Sequence, residues 1–118
     1  MTASRTILLL EDEAFVLMGL EMAAQDLGHT VLTALNAGDA LNHIASHTSP
    51  DVAVLDVNLG AGETCEPVAS ELKKRAIPFV LHSGDLDKGE ETVRAVGVPL
   101  IPKPAAPEHV IDRALALL

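Results

Sequence analysis

Four places in this chain carry residues that could do chemistry. Glu11-Asp12-Glu13 is a run of carboxylates directly after the apolar run Ile7–Leu10. Asp56 follows the run Val52–Leu55, His82-Ser83 follow Phe79–Leu81, and Lys103 stands between Pro102 and Pro104. Taken singly, each has an ordinary explanation. An acid after a strand is usually a solvated loop residue, and acids also suit the start of a helix, as Glu13 does here. Taken together they have a chemistry. Carboxylates held within a few ångströms repel, which raises at least one pKa. A hard divalent cation relieves that repulsion, and Mg²⁺ takes oxygen ligands while keeping some of its waters. Beside it, an Asp carboxylate can attack a phosphoryl group. The cation offsets charge on the phosphoryl oxygens in transit. A lysine ammonium and a serine hydroxyl can take the remaining oxygens.

That chemistry needs a fold that brings the four places to one end. Ile7–Leu10 reads as a strand covered on both faces. Glu13–Leu27 reads as a helix, with Phe15, Met18, Met22, Leu17, Leu20, Ala24 and Leu27 on a broad apolar face and Gly28 as its C-terminal cap. Val31–Leu35 is a second strand. Ala37, Ala40, Leu41, Ile44 and Ala45 follow the helical template, and Val52–Leu55 is a third strand. Gly60 and Gly62 mark a loop that holds Cys65, and Pro67 suits a helical first turn. The inward face of that third helix is Ala69, Leu72 and Ala76. Phe79–Leu81 is a fourth strand. Gly84 and Gly89 bracket a loop, and Glu90–Val96 holds only about two turns of a fourth helix. Pro99–Pro102 is the last strand and Pro107–Leu118 the last helix. Strict alternation of strands and helices predicts an α/β fold, a doubly wound five-stranded parallel sheet with helices on both faces. Ligand sites of such folds lie outside the carboxyl ends of the strands, where all four places fall.

Composition narrows the function classes. The 118 residues make one domain, 1–118, long enough to bury a core unaided. With 17 acidic and 8 basic residues the net charge is −9, which argues against nucleic acid or an anionic membrane as a partner. A single cysteine excludes an internal disulfide, and no apolar run approaches the roughly 20 residues of a membrane span. The N-terminus lacks the apolar length of a signal peptide, so a cytoplasmic location is expected. His43 and His47 have an i, i+4 spacing but no third ligand, so no zinc site is expected there.

The motifs Glu11-Asp12, Asp56, Ser83 and Pro102-Lys103-Pro104, each after its apolar run, resemble the receiver domain of two-component response regulators, the CheY-like superfamily, over essentially the whole chain. The resemblance implies a flavodoxin-like (βα)5 fold. It implies that Asp56 is the phosphoryl acceptor and a Mg²⁺ ligand, with Asp12 a direct ligand, Glu11 a ligand through water and the backbone carbonyl of Asn58 another. Ser83 would be the switch hydroxyl, Lys103 would bind a phosphoryl oxygen, and the Lys103-Pro104 bond would be cis. The donor would be a histidine kinase or a histidine phosphotransfer protein. Output to a protein target or a homodimer would use the face of the fourth helix, fifth strand and fifth helix. The chain would catalyse only its own phosphorylation and dephosphorylation.

There are departures from the family pattern. Leu100 stands where receivers often carry an aromatic switch residue, and Ala105 replaces the aromatic that often follows Lys-Pro. The Gly-rich stretch after Ser83 predicts a short or mobile fourth helix. Pro78-Phe79 and Ser83-Gly84 are similar in part to a subclass of stand-alone receivers in alphaproteobacteria whose motif carries Phe-Ala-Thr-Gly. With no output module after the fifth helix, a stand-alone regulator is expected, although a fragment of a longer protein would look the same. Two rivals are an unphosphorylated pseudo-receiver that binds proteins and an Asp-nucleophile, Mg²⁺-dependent phosphohydrolase. The second wants its nucleophile on the first strand and another Asp two residues on, where this chain has Asp56 on the third run and Asn58.

Overall fold

The five apolar runs pair into one parallel sheet in a computed structural model that describes residues 3–46, 49–84 and 86–118. In chain order the elements are β1 (Thr6–Leu10), α1 (Ala14–Asp26), β2 (Thr30–Ala34), α2 (Ala37–Ala45), β3 (Val52–Leu55), β4 (Asn58–Gly60), β5 (Glu63–Thr64), α3 (Glu66–Lys74), β6 (Phe79–Ser83), α4 (Leu86–Val96), β7 (Leu100–Pro102) and α5 (Pro107–Leu115). The sheet order is β2-β1-β3-β6-β7, and every pairing in it is parallel. This is the doubly wound, flavodoxin-like arrangement that the alternation predicts.

Strand side chains alternate between two cores because the strand period is two. Ile7, Leu9, Val52, Val54, Val80 and Ile101 pack with Leu17, Leu20 and Ala24 of α1 and Val110, Ile111 and Ala114 of α5. Leu8, Leu10, Ala53, Leu55 and Leu81 pack with Ile44 of α2, Val68 and Leu72 of α3 and Val96 of α4. Each central strand is therefore apolar on both faces, which is why it reads as an unbroken run rather than an alternation. Truncating one such leucine to alanine costs about 2–5 kcal/mol. Among the described residues no helix is long and apolar enough to cross a membrane.

Four expectations need correction. The apolar face of α1 is narrower than the composition implies. Leu17, Leu20, Ala23 and Ala24 are buried, whereas Phe15 is 88% exposed and Met18, Met22 and Leu27 are more than half exposed. An all-round apolar helix offers more apolar residues than one sheet face can cover. On α3, Val68 joins Ala69 and Leu72 inside, and Ala76 lies beyond the helix, exposed and in the left-handed region at φ 58°. Next, α4 is longer than two turns: it runs through Gly89 from Leu86, eleven residues. A glycine costs a helix interior about 1 kcal/mol, which does not end it. Finally, the Gly60–Gly62 loop is the turn of a small antiparallel hairpin, β4–β5. Cys65 is fully buried at the N-terminus of α3, and burial pushes its thiol up to about 12. His47 lies outside the described residues.

Candidate functional site

The carboxyl ends of β1, β3, β6 and β7 converge on a cleft of about 310 Å³, lined by Asp12, Glu13, Asp56, Asn58, Ser83, Gly84 and Lys103. It opens where the helices after β1 and β3 leave toward opposite faces of the sheet, the place where doubly wound sheets gather ligands. Asp56 is fixed by the ladder itself, since its N–H donates to the Leu10 carbonyl at 2.8 Å. Glu11, just past the end of β1, is held by β2, with its N–H donating to the Ala34 carbonyl at 3.1 Å. Its carboxylate also accepts the Glu13 N–H at 3.3 Å, where the chain turns into α1.

Glu11, Asp12 and Asp56 bring one carboxylate oxygen each to within 4.8 Å of one another. Glu11 and Asp56 are buried and Asp12 is exposed. Burial pushes the Asp56 carboxyl up to about 8, and its hydrogen bond and charge contact with Glu11 push the same way; only Lys103 opposes them. Such a cluster carries more negative charge than its one ammonium can offset, and its donors are all oxygen. That is the donor set of a hard divalent cation, so the residues fit Mg²⁺. The Asn58 carbonyl belongs to the strand that leaves Asp56, and Asn58 lines the same cleft.

Lys103 is the counter-charge. Its Nζ lies 2.6 Å from Glu11 Oε1 and 3.5 Å from Asp56 Oδ2. Burial alone would lower the ammonium's pKa; the hydrogen bond it donates to Glu11 and the charges of both carboxylates outweigh it, and the pKa is raised. The Lys103 N–H donates to the Ser83 carbonyl at 3.0 Å, so the ammonium and the Ser83 hydroxyl sit on adjacent strand ends. The Lys103-Pro104 peptide is cis. The sequence-predicted residues Glu11, Asp12, Asp56, Asn58, Ser83 and Lys103 thus all meet at one end of the sheet. Leu100 packs against the core on the α2–α3 side, so an aliphatic side chain fills that position.

Three contributors escape the sequence. A Cβ at Gly84 would lie 3.3 Å from Lys103 Cβ, so the missing side chain leaves the room in which Lys103 runs. Gly60, at φ 84°, turns the β4–β5 hairpin back toward the site, where its Cβ would be 3.7 Å from Asp12 Oδ2. Glu63, on β5, accepts the Ala37 N–H at 2.7 Å and so ties the hairpin to the first turn of α2. The Gly-rich composition signals only a loop. That the loop folds back is set by contacts distant in sequence.

No family model and no curated protein matches this chain. Solved structures do. SdrG from Sphingomonas melonis Fr1 is 36% identical, with a TM-score of 0.79, over 98% of this chain and 97% of that one. The chemotaxis response regulator CheY4 of Vibrio cholerae is 24% identical, with a TM-score of 0.79, over 98% of this chain and 100% of that one. The BeF3-activated DrrB receiver domain is 24% identical, with a TM-score of 0.75, over 94% of each chain.

Proposed function

Because this chain belongs to the CheY-like family of response-regulator receiver domains, we propose that Asp56 accepts a phosphoryl group from a phosphohistidine and that the domain signals by the change of shape that follows. The observation that carries the reading is the buried Glu11–Lys103–Asp56 contact, 2.6 and 3.5 Å, at the floor of the cleft that Ser83 lines.

The Asp56 carboxylate oxygen attacks phosphorus, the P–N bond to the donor imidazole breaks, and that imidazole leaves with the bonding pair. Glu11, Asp12, Asp56 and the Asn58 carbonyl would hold Mg²⁺, which supplies positive charge against the phosphoryl oxygens. Lys103 presents its ammonium hydrogens to a phosphoryl oxygen, and the Ser83 hydroxyl donates to another. Moving that hydroxyl carries the end of β6, and with it the α4–β7–α5 face, toward a target protein or a second copy. The donor is a histidine kinase or phosphotransfer protein that must reach Asp56 over the cleft's rim. Exposed Phe15 and Met18, on the first turns of α1 beside that rim, offer it apolar surface. No turnover of an external substrate is proposed, and the setting is the cytoplasm.

Beryllofluoride, a stand-in for the phosphoryl group, tests this directly. With Mg²⁺ it should give a bound ¹⁹F signal in the wild-type protein and none in Asp56→Asn. A bound signal that persists in Asp56→Asn would overturn the assignment.

A further inference from the structure

His82 is a buried polar residue with no role so far. It is 4% exposed, and among the described residues neither ring nitrogen has a hydrogen-bond partner. An unpaired buried group is costly, and two on one side chain are unusual enough to need a reason.

The sheet register says where the ring belongs. Leu10, Leu55, Leu81 and Leu100 form one row across β1, β3, β6 and β7. The next row is Glu11, Asp56, His82 and Ile101, and the ladder does continue, with Asp56 N–H on Leu10 O and His82 opposite Ile101. Ile101 packs in the α1–α5 core, so this row faces α1 and α5. His82 therefore flanks Asp56 from the side opposite Glu11, one strand spacing away, about 4.8 Å. Lys103, two residues past Ile101, returns to the same face. Its ammonium is close enough for its charge to be felt at the ring, and with burial, the larger effect, this holds the imidazole down at about 4 and hence neutral. A neutral imidazole has one lone pair to offer, and an ammonium has three hydrogens.

We propose that His82 is a positioning residue for Lys103: when Lys103 lets go of Glu11, the imidazole accepts one ammonium hydrogen and the other two are presented to the phosphoryl oxygens on Asp56. The inference rests on the phosphoryl-acceptor reading above. Glu11 is the ammonium's nearest partner in this structure, at 2.6 Å, and Glu11 belongs to the carboxylate cluster that fits a cation. Once Glu11 is engaged there, Lys103 needs an acceptor that is neutral, on the same face and beside Asp56. Among the described residues the unpaired His82 nitrogens supply it.

The experiment reads the ring itself. In ¹⁵N-histidine-labelled protein the His82 nitrogens should show a neutral ring without Mg²⁺ and beryllofluoride. On loading, the unprotonated nitrogen should move upfield, as a lone pair that gains a donor does. Lys103→Met should abolish that movement. No movement, or the same movement in Lys103→Met, would overturn the proposal. A kinetic arm uses acetyl phosphate and Mg²⁺. His82→Leu should fold at least as well as wild type yet take up phosphoryl about tenfold more slowly, the order of one hydrogen bond to a charged group. His82→Asn, which keeps an acceptor, should recover most of that loss. Equal uptake by His82→Leu and wild type refutes the role of His82 alone. Absence of uptake by the wild type from acetyl phosphate and from phosphohistidine proteins alike refutes the acceptor reading beneath it.

Discussion

Lys103→Met isolates the ion pair at the floor of the site, because it keeps the buried stem and removes the charge. The ammonium lies 2.6 Å from a Glu11 carboxylate whose side chain is 1% exposed. Deleting one partner of a buried pair costs about 3–5 kcal/mol, since the other charge is left uncompensated. Two features reduce that here. The Lys103 side chain keeps 19% of its exposure, so water already screens part of the attraction. Asp56, raised to about 8, holds its proton at neutral pH and adds little to the charge left behind. We expect a loss of about 2–3 kcal/mol in cation-free buffer, or about 10 °C in Tm for a domain of this size. Saturating Mg²⁺ should close most of the gap, because the cation replaces the ammonium as counter-charge, and the variant should bind Mg²⁺ more tightly than wild type. Thermal melts with EDTA and across a Mg²⁺ series read both effects. A variant as stable as wild type in EDTA, or a gap that Mg²⁺ leaves unchanged, would show that the ammonium is not the counter-charge of this cluster.

Three further outcomes follow from the same geometry. Asp56 binds its proton more tightly folded than unfolded, so its contribution to stability is complete below pH 3.8 and is lost as pH rises through about 8. Cation-free wild type should therefore lose Tm across that window and Asp56→Asn should lose much less, as melts from pH 5 to pH 9 would check. Leu17→Ala should cost about 2–4 kcal/mol, while exposed Met18→Ala on the same helix should stay within about 0.5 kcal/mol in urea titrations. Glu63→Ala should cost about 1 kcal/mol by leaving the Ala37 N–H at the start of α2 without its carboxylate, with faster hydrogen exchange at that amide as the local signature.

Fold and site were legible to different depths. Ile7–Leu10 and Val52–Leu55 are apolar on both faces because helices cover both faces of a parallel sheet, so the type and order of the five sheet strands and five helices could be read directly, and the β4–β5 hairpin could not. The site could be read because it is a set of strand ends: an acid, hydroxyl or ammonium that ends an apolar run needs only the parallel topology to meet the others. What could not be read depends on contacts across the sequence. Phe15 and Met18 are as apolar as Leu17 and Leu20, and only the way α1 docks on β1, β2 and α5 decides which pair goes inside. Gly89 suggests a break, but one helix runs through it from Leu86 to Val96. Glu63 reaches α2, and Lys103 rests on Glu11 as well as Asp56. Neither contact has a signature in spacing. That His82 lacks a hydrogen-bond partner among the described residues has no signature in the sequence either.

The central claim is that Asp56 takes a phosphoryl group with the help of a divalent cation. Intact-mass analysis after incubation with acetyl phosphate tests it most directly. With Mg²⁺ the wild-type protein should gain the mass of one phosphoryl group, and both EDTA and Asp56→Asn should abolish the gain. A gain that survives in Asp56→Asn, or that is indifferent to EDTA, would contradict the account. So would a wild-type protein that takes up no phosphoryl from acetyl phosphate or from a panel of phosphohistidine proteins.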